Sequence, residues 1–435
     1  MPGKAAGAFA QVRLIPGAVL DNRLRLEGLG VMTTTQPTAP ASPPDPLPSS
    51  QVAAALARLP GVVATLAANA AQHDREASFP HEGVEAVHEA GLLTLTVATR
   101  YGGPGAGLAE TVRVLRELGR GDPSVALVTA MTLFTHAEQA HLGTWPDRYY
   151  RRLLAETAAG PALVNALRAE PDLGTPTRGG LPATVARRTA RGWSITGRKI
   201  YSTGSVGLKW MVVWAATDEN PVRVGGFIVR GDAPGVTVEP TWDHLGLRAS
   251  ASHDVVLTDV EVDEDATTGL TEAGTGGGLP AVVAAWHALG LPALYLGVAE
   301  AARDWLVKFL RERTPSALGA PLATLARFQA AVGEIEARLI GAEELITGLA
   351  RRIDAGDEEA LARAPVAKLL ATRAAIRAVE RAVALTGNPG LTRGNPLERH
   401  YRDVLCARVH TPQDDSILGA VGRSVLAPPD STEGI

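Results

Sequence analysis

The sequence predicts an α+β fold in three parts, with a helical region, a β region and then a second helical region. Apolar residues recur every three or four positions up to about residue 154, at every second position to about residue 268, and again at the helical spacing after that. A chain of 435 residues is also too long for one simple core, so two or three domains are expected. We therefore place the domains at 49–154, 155–268 and 269–425.

Both ends of the chain are expected to lie outside these domains. Residues 33–50 read TTTQPTAPASPPDPLPSS, which is too rich in Pro, Ser and Thr to bury a core. Residues 1–31 lack the charged start, apolar centre and cleavage site of a secretory signal, and Met32 is an alternative start. We predict a disordered extension over 1–48 and a short tail over 426–435.

The composition limits the partners and the compartment. A formal net charge of −4 argues against a nucleic-acid partner or an anionic membrane surface. No apolar run reaches the roughly 18 residues needed to span a bilayer. The single cysteine, Cys406, excludes an intramolecular disulfide and suits a reducing cytoplasm.

The first domain is predicted to be a helical bundle. Helical spacing is clear in VAAALARL, in VVATLAANAA and in LAETVRVLRELGR. The segment YGGPG, at 101–105, is a loop by composition. Asp122-Pro-Ser124 has the chemistry of a helix start and is followed by a long apolar run.

The middle domain contains short β-branched runs separated by Gly, Pro or Asp, which predicts a small antiparallel barrel or sandwich. Its central stretch is GWSITGRKIYSTGS, at 192–205, where Gly197-Arg198 is typical of a tight turn. The stretch ends in small hydroxyl residues that would let a flat ligand approach the backbone. An ordinary β-hairpin is the alternative.

The last domain is predicted to be an antiparallel four-helix bundle. Its four helices are expected at 279–313, 323–355, 357–386 and 412–425. Pro292 and Pro365 are expected to kink or interrupt two of them.

This order of domains, together with three motifs, resembles the acyl-CoA dehydrogenase superfamily of flavoproteins over about 50–425. The motifs are YGGPG, GWSITGRKIYSTG and LGLRASASHDVVLTDVEV, the last at 245–262. The resemblance implies FAD as cofactor, with FMN or a diffusing reduced flavin left open. It also implies a flavin oxidoreductase that oxidises the Cα–Cβ bond of an acyl-CoA or a similar small molecule.

The same resemblance assigns residues to the flavin. Tyr201 takes the aromatic position beside the flavin, Ser202 gives access, and Thr203 takes the hydroxyl that bonds flavin N5. The segment Ala169-Glu-Pro-Asp-Leu-Gly-Thr175 departs from the family pattern, because Ala169 replaces a threonine and leaves only backbone donors. Thr175 stands near the diphosphate or the substrate.

Three further residues match contacts that cross a subunit boundary in the family. Arg313 matches an arginine at the FAD diphosphate, with Arg311 as a competitor, and Gly387 and Asn388 match a turn at the adenine half. These matches imply a homodimer or a homotetramer. A solvated arginine at a helix end and a glycine C-cap are the structural alternatives.

The segment 245–262 supplies the expected substrate contacts, which are Arg248, Ser250 and His253. For His253, a loop-capping role is the favoured alternative.

The general base of the family is missing. Aligned on Arg402-Asp403, His410 takes the position of the family tyrosine, and Thr411 takes that of the catalytic glutamate. A threonine cannot be that base at neutral pH. Asp414 is the remaining acidic candidate, although Thr411-Pro-Gln-Asp414 has the spacing of a helix capping box with Pro at the first helical position.

His410 also resembles the histidine that group D flavin monooxygenases, a branch of the same superfamily, place beside the flavin C4a-hydroperoxide. An imidazole there can donate a hydrogen bond and exchange protons near neutral pH. The sequence therefore predicts an acyl-CoA dehydrogenase-type enzyme, with a monooxygenase using reduced flavin and oxygen as the alternative. A non-catalytic flavin-binding protein is the third possibility.

Overall fold

The computed structural model of the chain describes residues 49–173, 180–275 and 279–427. Thr175, the predicted extension 1–48 and most of the predicted tail lie outside these residues. Within the described ranges, ten α-helices and eight strands follow one another in the predicted order of helices, sheet and helices.

The N-terminal part is helical, as predicted. Its helices are α1 (Ser50–Glu76), α2 (His81–Glu89), α3 (Leu108–Gly121), α4 (Pro123–Leu142) and α5 (Asp147–Ala159). The Asp122 carboxylate accepts a hydrogen bond from the Ser124 backbone N–H, which is the predicted cap of α4. The last helix of this part continues five residues beyond the boundary we expected at 154.

The middle part forms one sheet with the strand order β6-β7-β3-β2-β4-β5-β8, and β1 also pairs with β4. The strands are β1 (Leu163–Leu167), β2 (Val185–Arg188), β3 (Gly192–Lys199), β4 (Leu208–Thr217), β5 (Arg223–Arg230), β6 (Val236–Glu239), β7 (Asp254–Asp263) and β8 (Thr267–Glu272). Most strand pairs are antiparallel, as predicted, but β1 and β2 both run parallel to β4, which the sequence did not indicate.

The predicted turn at Gly197-Arg198 was wrong. Both residues lie inside β3, which pairs with β7 along its whole length and changes register between Ile195 and Gly197. A Cβ at Gly197 would lie 2.3 Å from Thr184 Oγ1, so glycine is needed there for close packing rather than for a turn.

The C-terminal part contains the four predicted long helices and one short helix that the pattern missed. They are α6 (Ala281–Glu312), α7 (Ala326–Asp354), α8 (Glu358–Thr386), α9 (Leu397–Leu405) and α10 (Asp414–Leu426). Pro292 and Pro365 lie within α6 and α8, and both helices continue through them, contrary to an interruption.

One buried apolar cluster extends through all three parts. It joins Leu115 of α3, Ile195 of β3 and Leu294 of α6, among many others. The sheet is therefore held against both helical parts, and a site formed between them has a fixed geometry.

Two helices, α1 and α6, are long and apolar enough to cross a membrane by length and composition. This finding differs from our expectation that no run would qualify. Helix α6 is mostly buried in the protein, as the core helix of a bundle would be. Two helices that pass this test are only weak evidence for a membrane span.

Candidate active site

The site is built where the chain leaves β3 and meets the loop before β7. Ser202 N donates to His253 O at 3.1 Å, and Gly204 N donates to Ser250 O at 2.9 Å. Tyr201 and Gly204 have φ values of 55° and 77°, so the chain turns sharply there. The segment after β3 and the segment before β7 are therefore joined by backbone hydrogen bonds into one double loop.

A chain of buried hydroxyl groups lies inside this double loop. Thr203 Oγ1 is 3.1 Å from Ser252 Oγ, which is 2.8 Å from Ser250 Oγ. Asn165 Nδ2 at β1 donates to Thr203 O at 3.1 Å and fixes the turn from the other side. Ser202 Oγ is buried and has no hydrogen-bond partner among the described residues. A hydroxyl left in this way is a donor or acceptor for a bound molecule.

Tyr201 lies at the mouth of the site rather than inside it, because its side chain is 64% exposed. Its ring meets Trp242 edge to face, with centroids 6.3 Å apart. Trp242 is stacked on His244 with the centroids 4.3 Å apart. His244 Nδ1 lies 3.8 Å from Cys406 Sγ, so these three rings lead from the end of β3 to the segment that precedes His410.

Ala169 and Glu170 are bonded to the end of β3. Ile200 N donates to Ala169 O at 3.0 Å, so the Ala169 carbonyl supports the β3 end. The next residue, Glu170, accepts hydrogen bonds from Lys199 Nζ and from Thr184 Oγ1. Burial alone would raise the pKa of Glu170, but the bonds from Lys199 and Thr184 lower it, so the pair is ionic at neutral pH.

His410 is bound to a tyrosine of α6. The Tyr295 hydroxyl is 2.5 Å from His410 Nε2. Burial raises the pKa of Tyr295 well above its usual value, and Cys406 and Asp403 raise it further. Burial also lowers the pKa of His410 to about 4, with added repulsion from Lys368 and His244. Both groups are neutral at pH 7, and when Tyr295 donates to Nε2 the ring proton of His410 lies on Nδ1.

Asp414 is engaged elsewhere. Its carboxylate pairs with Arg373 Nε at 2.9 Å. Helix α10 begins at Asp414, Gln413 precedes it as the N-cap, and no side chain makes a capping bond there. The predicted capping box was therefore wrong, because the helix starts too late for Thr411 to cap it. Thr411 is half-buried.

The predicted substrate residues support loops through their polar atoms. Arg248 Nε donates to Asp74 O at 2.8 Å, and Ser250 contributes to the hydroxyl chain. His253 Nδ1 accepts from Trp242 N at 2.9 Å, and burial lowers its pKa. The loop before β7 is fixed to α9 as well, because Leu247 N donates to Asp403 Oδ1 at 2.8 Å.

The residues expected at a subunit boundary are exposed in the single chain. Arg313 follows the last residue of α6, Gly387 ends α8 with a φ of 63°, and Asn388 begins a short 3-10 turn. The competitor Arg311 lines a surface cleft of about 560 Å³ together with Arg303 and Lys308.

Sequence reasoning missed three groups near His410, namely Tyr295, Lys368 and His287. Tyr295 and His287 lie on an almost uniformly apolar helix, and nothing in their local pattern distinguishes them. Lys368 left a signal, because it interrupts the buried face of α8 that otherwise carries Ala364, Ala371 and Ala375. In the described ranges no cluster of acidic, histidine or cysteine residues could hold a metal ion.

Comparison with known proteins identifies the class of protein. Three family models match this chain: the N-terminal, middle and C-terminal domains of acyl-CoA dehydrogenase, over residues 62–145, 166–260 and 289–414. The chain belongs to the acyl-CoA dehydrogenase family.

Individual relatives differ in the chemistry that their names describe. The chain is 33% identical over 351 residues to YdbM of Bacillus subtilis, an acyl-CoA dehydrogenase by name, covering 80% of this chain and 90% of that protein. It is 31% identical over 361 residues to L-evernosamine nitrososynthase of Micromonospora sp., covering 80% of this chain and 83% of that protein. The structure of KijD3 in complex with FMN and a dTDP-amino-sugar is similar, with a TM-score of 0.75 and 27% identity, covering 89% of this chain and 95% of that one.

The cofactor of this family is a flavin, FAD or FMN, and the protein is a flavin oxidoreductase. The residues of the site fit such a group. Ser202 Oγ offers a buried polar atom without a partner among the described residues, and the neighbouring positions 203–205 are Thr, Gly and Ser, which are small. Flat rings require this kind of close approach to a backbone that carries donors.

Proposed function

We propose that the protein is a flavin-dependent monooxygenase, which uses reduced flavin and oxygen to oxygenate a small-molecule substrate. The observation that carries this proposal is the neutral His410, which is bound to Tyr295 and precedes Thr411, the residue at the position of the family's carboxylate base. A neutral imidazole with a free Nδ1–H is a hydrogen-bond donor to an oxygen atom, not a base for a carbon acid.

Asp414, the acidic residue nearest to His410 in the sequence, is poorly placed to abstract a proton from carbon. Asp414 is held by Arg373 and occupies the first turn of α10, where the helix dipole stabilises a negative charge. Abstraction of an α-proton requires a carboxylate that can reach the substrate, and the Asp414 carboxylate is engaged by Arg373.

In the proposed reaction, bound reduced flavin would supply the two electrons that activate oxygen. One oxygen atom forms a bond to the substrate, and the other leaves as water after taking two protons. Tyr295 holds His410 Nε2, so the ring presents Nδ1–H to the reacting oxygen and can pass on a proton there. Ser202 and Thr203 would orient the flavin at the end of β3.

Two relatives support the proposal. A nitrososynthase is 31% identical to this chain, and the formation of a nitroso group adds oxygen to nitrogen. KijD3, which is 27% identical, has been solved with FMN. We therefore propose FMN or FAD that is reduced before it reacts, with an electron source still to be identified.

Acyl-CoA dehydrogenation is the second candidate, favoured by one specific observation. Glu138 of α4 carries a carboxyl group whose pKa is raised by burial, even though the Arg168 charge lowers it. A carboxylate with a raised pKa is a stronger base than one with an ordinary pKa. The 33% identity to YdbM favours the same candidate.

We also propose that the protein acts as a homodimer or homotetramer. Arg313, Gly387 and Asn388 are exposed and are free to reach the cofactor of another subunit, as the family resemblance implies.

The proposal is tested by the reaction of the chemically reduced flavoprotein with oxygen, followed by stopped-flow absorbance and by assay of released hydrogen peroxide. In His410→Ala we expect flavin reoxidation with peroxide release to be faster than in wild type, by about 100-fold, because the donor that holds the reacting oxygen is gone. Added imidazole should partly restore the wild-type rate.

His81→Ala serves as the control, since His81 is an exposed histidine of α2 outside the site. It should behave as wild type. Equal reoxidation rates and equal peroxide yields in His410→Ala and wild type would contradict the proposal.

A further inference from the structure

Two lysines are almost completely buried in the described part of the chain, and they differ in one respect. Lys199 is 0% exposed, and its ammonium donates to the Glu170 carboxylate and to the Trp214 carbonyl. Lys368 is 1% exposed, and its Nζ has no hydrogen-bond partner among the described residues. Lys199 is therefore explained by the fold, and Lys368 is not.

Lys368 lies beside the candidate active site. It is close enough to His410 and Asp414 for their charges to interact. The groups that face His410 are Tyr295 and His287 from α6, Lys368 from α8 and His244 from the loop before β7. Of these, Lys368 alone is an amine; burial lowers its pKa, and the charge of Asp414 offsets part of that effect.

An ammonium group removed from water without a partner is among the least favourable placements in a protein. A buried group of this kind requires an explanation, and a functional site is one place where such groups are found. The three N–H donors of Lys368 can bond only to acceptors, so the missing partner carries an acceptor oxygen.

We propose that Lys368 forms a cationic subsite, next to His410, for an anionic or carbonyl oxygen of the substrate. This inference rests on the proposed function, since it assigns a substrate group to the site at which His410 would act. A substrate of this class carries a carboxylate, or a comparably strong acceptor, near the atom that is oxygenated, so that the acceptor can bind Lys368 while that atom lies at His410.

The first test compares the thermal unfolding of the two lysine variants without ligand. Lys368→Met replaces an unpartnered ammonium with an apolar group of similar length, so its Tm should equal or exceed that of wild type. Lys199→Met leaves Glu170 buried without its partner, so its Tm should fall by several degrees. A fall in Lys368→Met as large as that in Lys199→Met, or a failure to fold, would show that Lys368 has a structural partner and would overturn the proposal.

The second test uses acetate as the probe and the histidine ring signals of the flavin-free protein, observed by NMR. Acetate should shift the His410 signals saturably in wild type and in Lys368→Arg, but not in Lys368→Met. In Lys368→Met the pKa of His410 should also rise, because a neighbouring positive charge has been removed. Lys308→Met, which removes an exposed ammonium of α6, should behave as wild type.

An acetate response that persists in Lys368→Met would overturn the subsite. Neither test involves oxygen or turnover, so their failure is distinct from failure of the monooxygenase proposal.

Discussion

At the scale of single residues, the site depends on whether each buried hydroxyl has a partner. Ser205 Oγ donates to Ala251 O at 2.6 Å, and Thr203 Oγ1 lies in the hydroxyl chain with Ser252. Ser202 Oγ has no partner among the described residues. The three residues are close in sequence, yet only Ser202 is incomplete without a ligand.

Ser202→Ala should weaken flavin binding without destabilising the flavin-free protein. Loss of one hydrogen bond to the ligand corresponds to about 0.5–1.5 kcal/mol, or roughly 2- to 12-fold in Kd. Fluorescence titration with FMN and with FAD measures the affinity, and urea unfolding measures the stability. Ser205→Ala is the matched control, because loss of its internal bond should lower the free energy of unfolding by about 1 kcal/mol. An unchanged flavin affinity in Ser202→Ala would remove Ser202 from the cofactor site.

The sequence indicated the hydroxyl residues at 202–205 but not the bond between Tyr295 and His410. The hydroxyl cluster at 202–205 is visible because its members are consecutive in the chain. Tyr295 is 115 positions from His410, and the bond between them arises only when α6 packs against the segment before α10. A local pattern carries no information on such pairs.

At the scale of elements, the close crossing of α3 and α6 fixes the N-terminal part against the C-terminal bundle. A Cβ at Gly119 would lie 2.2 Å from Leu294 O, and one at Gly297 would lie 2.0 Å from Arg116 O. The two backbones touch because neither helix has a side chain at the contact. Helix α6 also carries Tyr295, so this crossing holds the partner of His410 in place.

Gly297→Ala should therefore lower the free energy of unfolding by about 1–3 kcal/mol, because the added methyl group overlaps backbone atoms of α3. Urea unfolding followed by circular dichroism is the measurement. Gly341→Ala is the control: Gly341 lies in α7 with nothing within 4 Å of an added Cβ, and alanine there should raise stability by about 0.5–1 kcal/mol. Equal effects of the two substitutions would contradict the close crossing.

The long helices were predictable from their spacing, whereas several of their details were not. Pro292 and Pro365 do not end α6 and α8, because tertiary packing along these buried helices outweighs the lost backbone bond. The glycine at 197 indicated a turn, but the residue is a glycine because Thr184 packs against it and leaves no room for a Cβ. Both errors come from contacts that are remote in sequence.

At the scale of the whole molecule, four histidines are kept neutral by burial. Burial lowers the pKa of His136, His287 and His410 to about 4 and that of His400 to about 3. In the unfolded chain each titrates near 6.5. Each therefore makes a contribution to stability that is lost as the pH falls from about 6.5 towards about 4. Buried carboxyl groups oppose this trend, since burial raises the pKa of Asp403 to about 7.

His136→Phe isolates one of these contributions. His136 is fully buried in α4, and its Nδ1 is 3.0 Å from the Tyr150 hydroxyl. The variant cannot take up the proton on unfolding, so its free energy of unfolding relative to wild type should rise by about 1.4 kcal/mol for each pH unit of acidification between about pH 6 and pH 4.5. Urea unfolding of both proteins at several pH values measures this slope. A relative stability that does not change with pH would show that His136 is not held neutral.

The central claim is that the family's carboxylate base is replaced by Thr411 and that the neutral His410 beside it serves the flavin, so the protein oxygenates its substrate instead of dehydrogenating an acyl-CoA. The most direct measurement is the visible absorbance of the oxidised flavoprotein, mixed without oxygen with acyl-CoA thioesters of short, medium and long chains. We predict that the flavin stays oxidised with every thioester, because Thr411, at the position of the family's glutamate, cannot abstract the α-proton. Bleaching of the flavin by any of them would contradict the account.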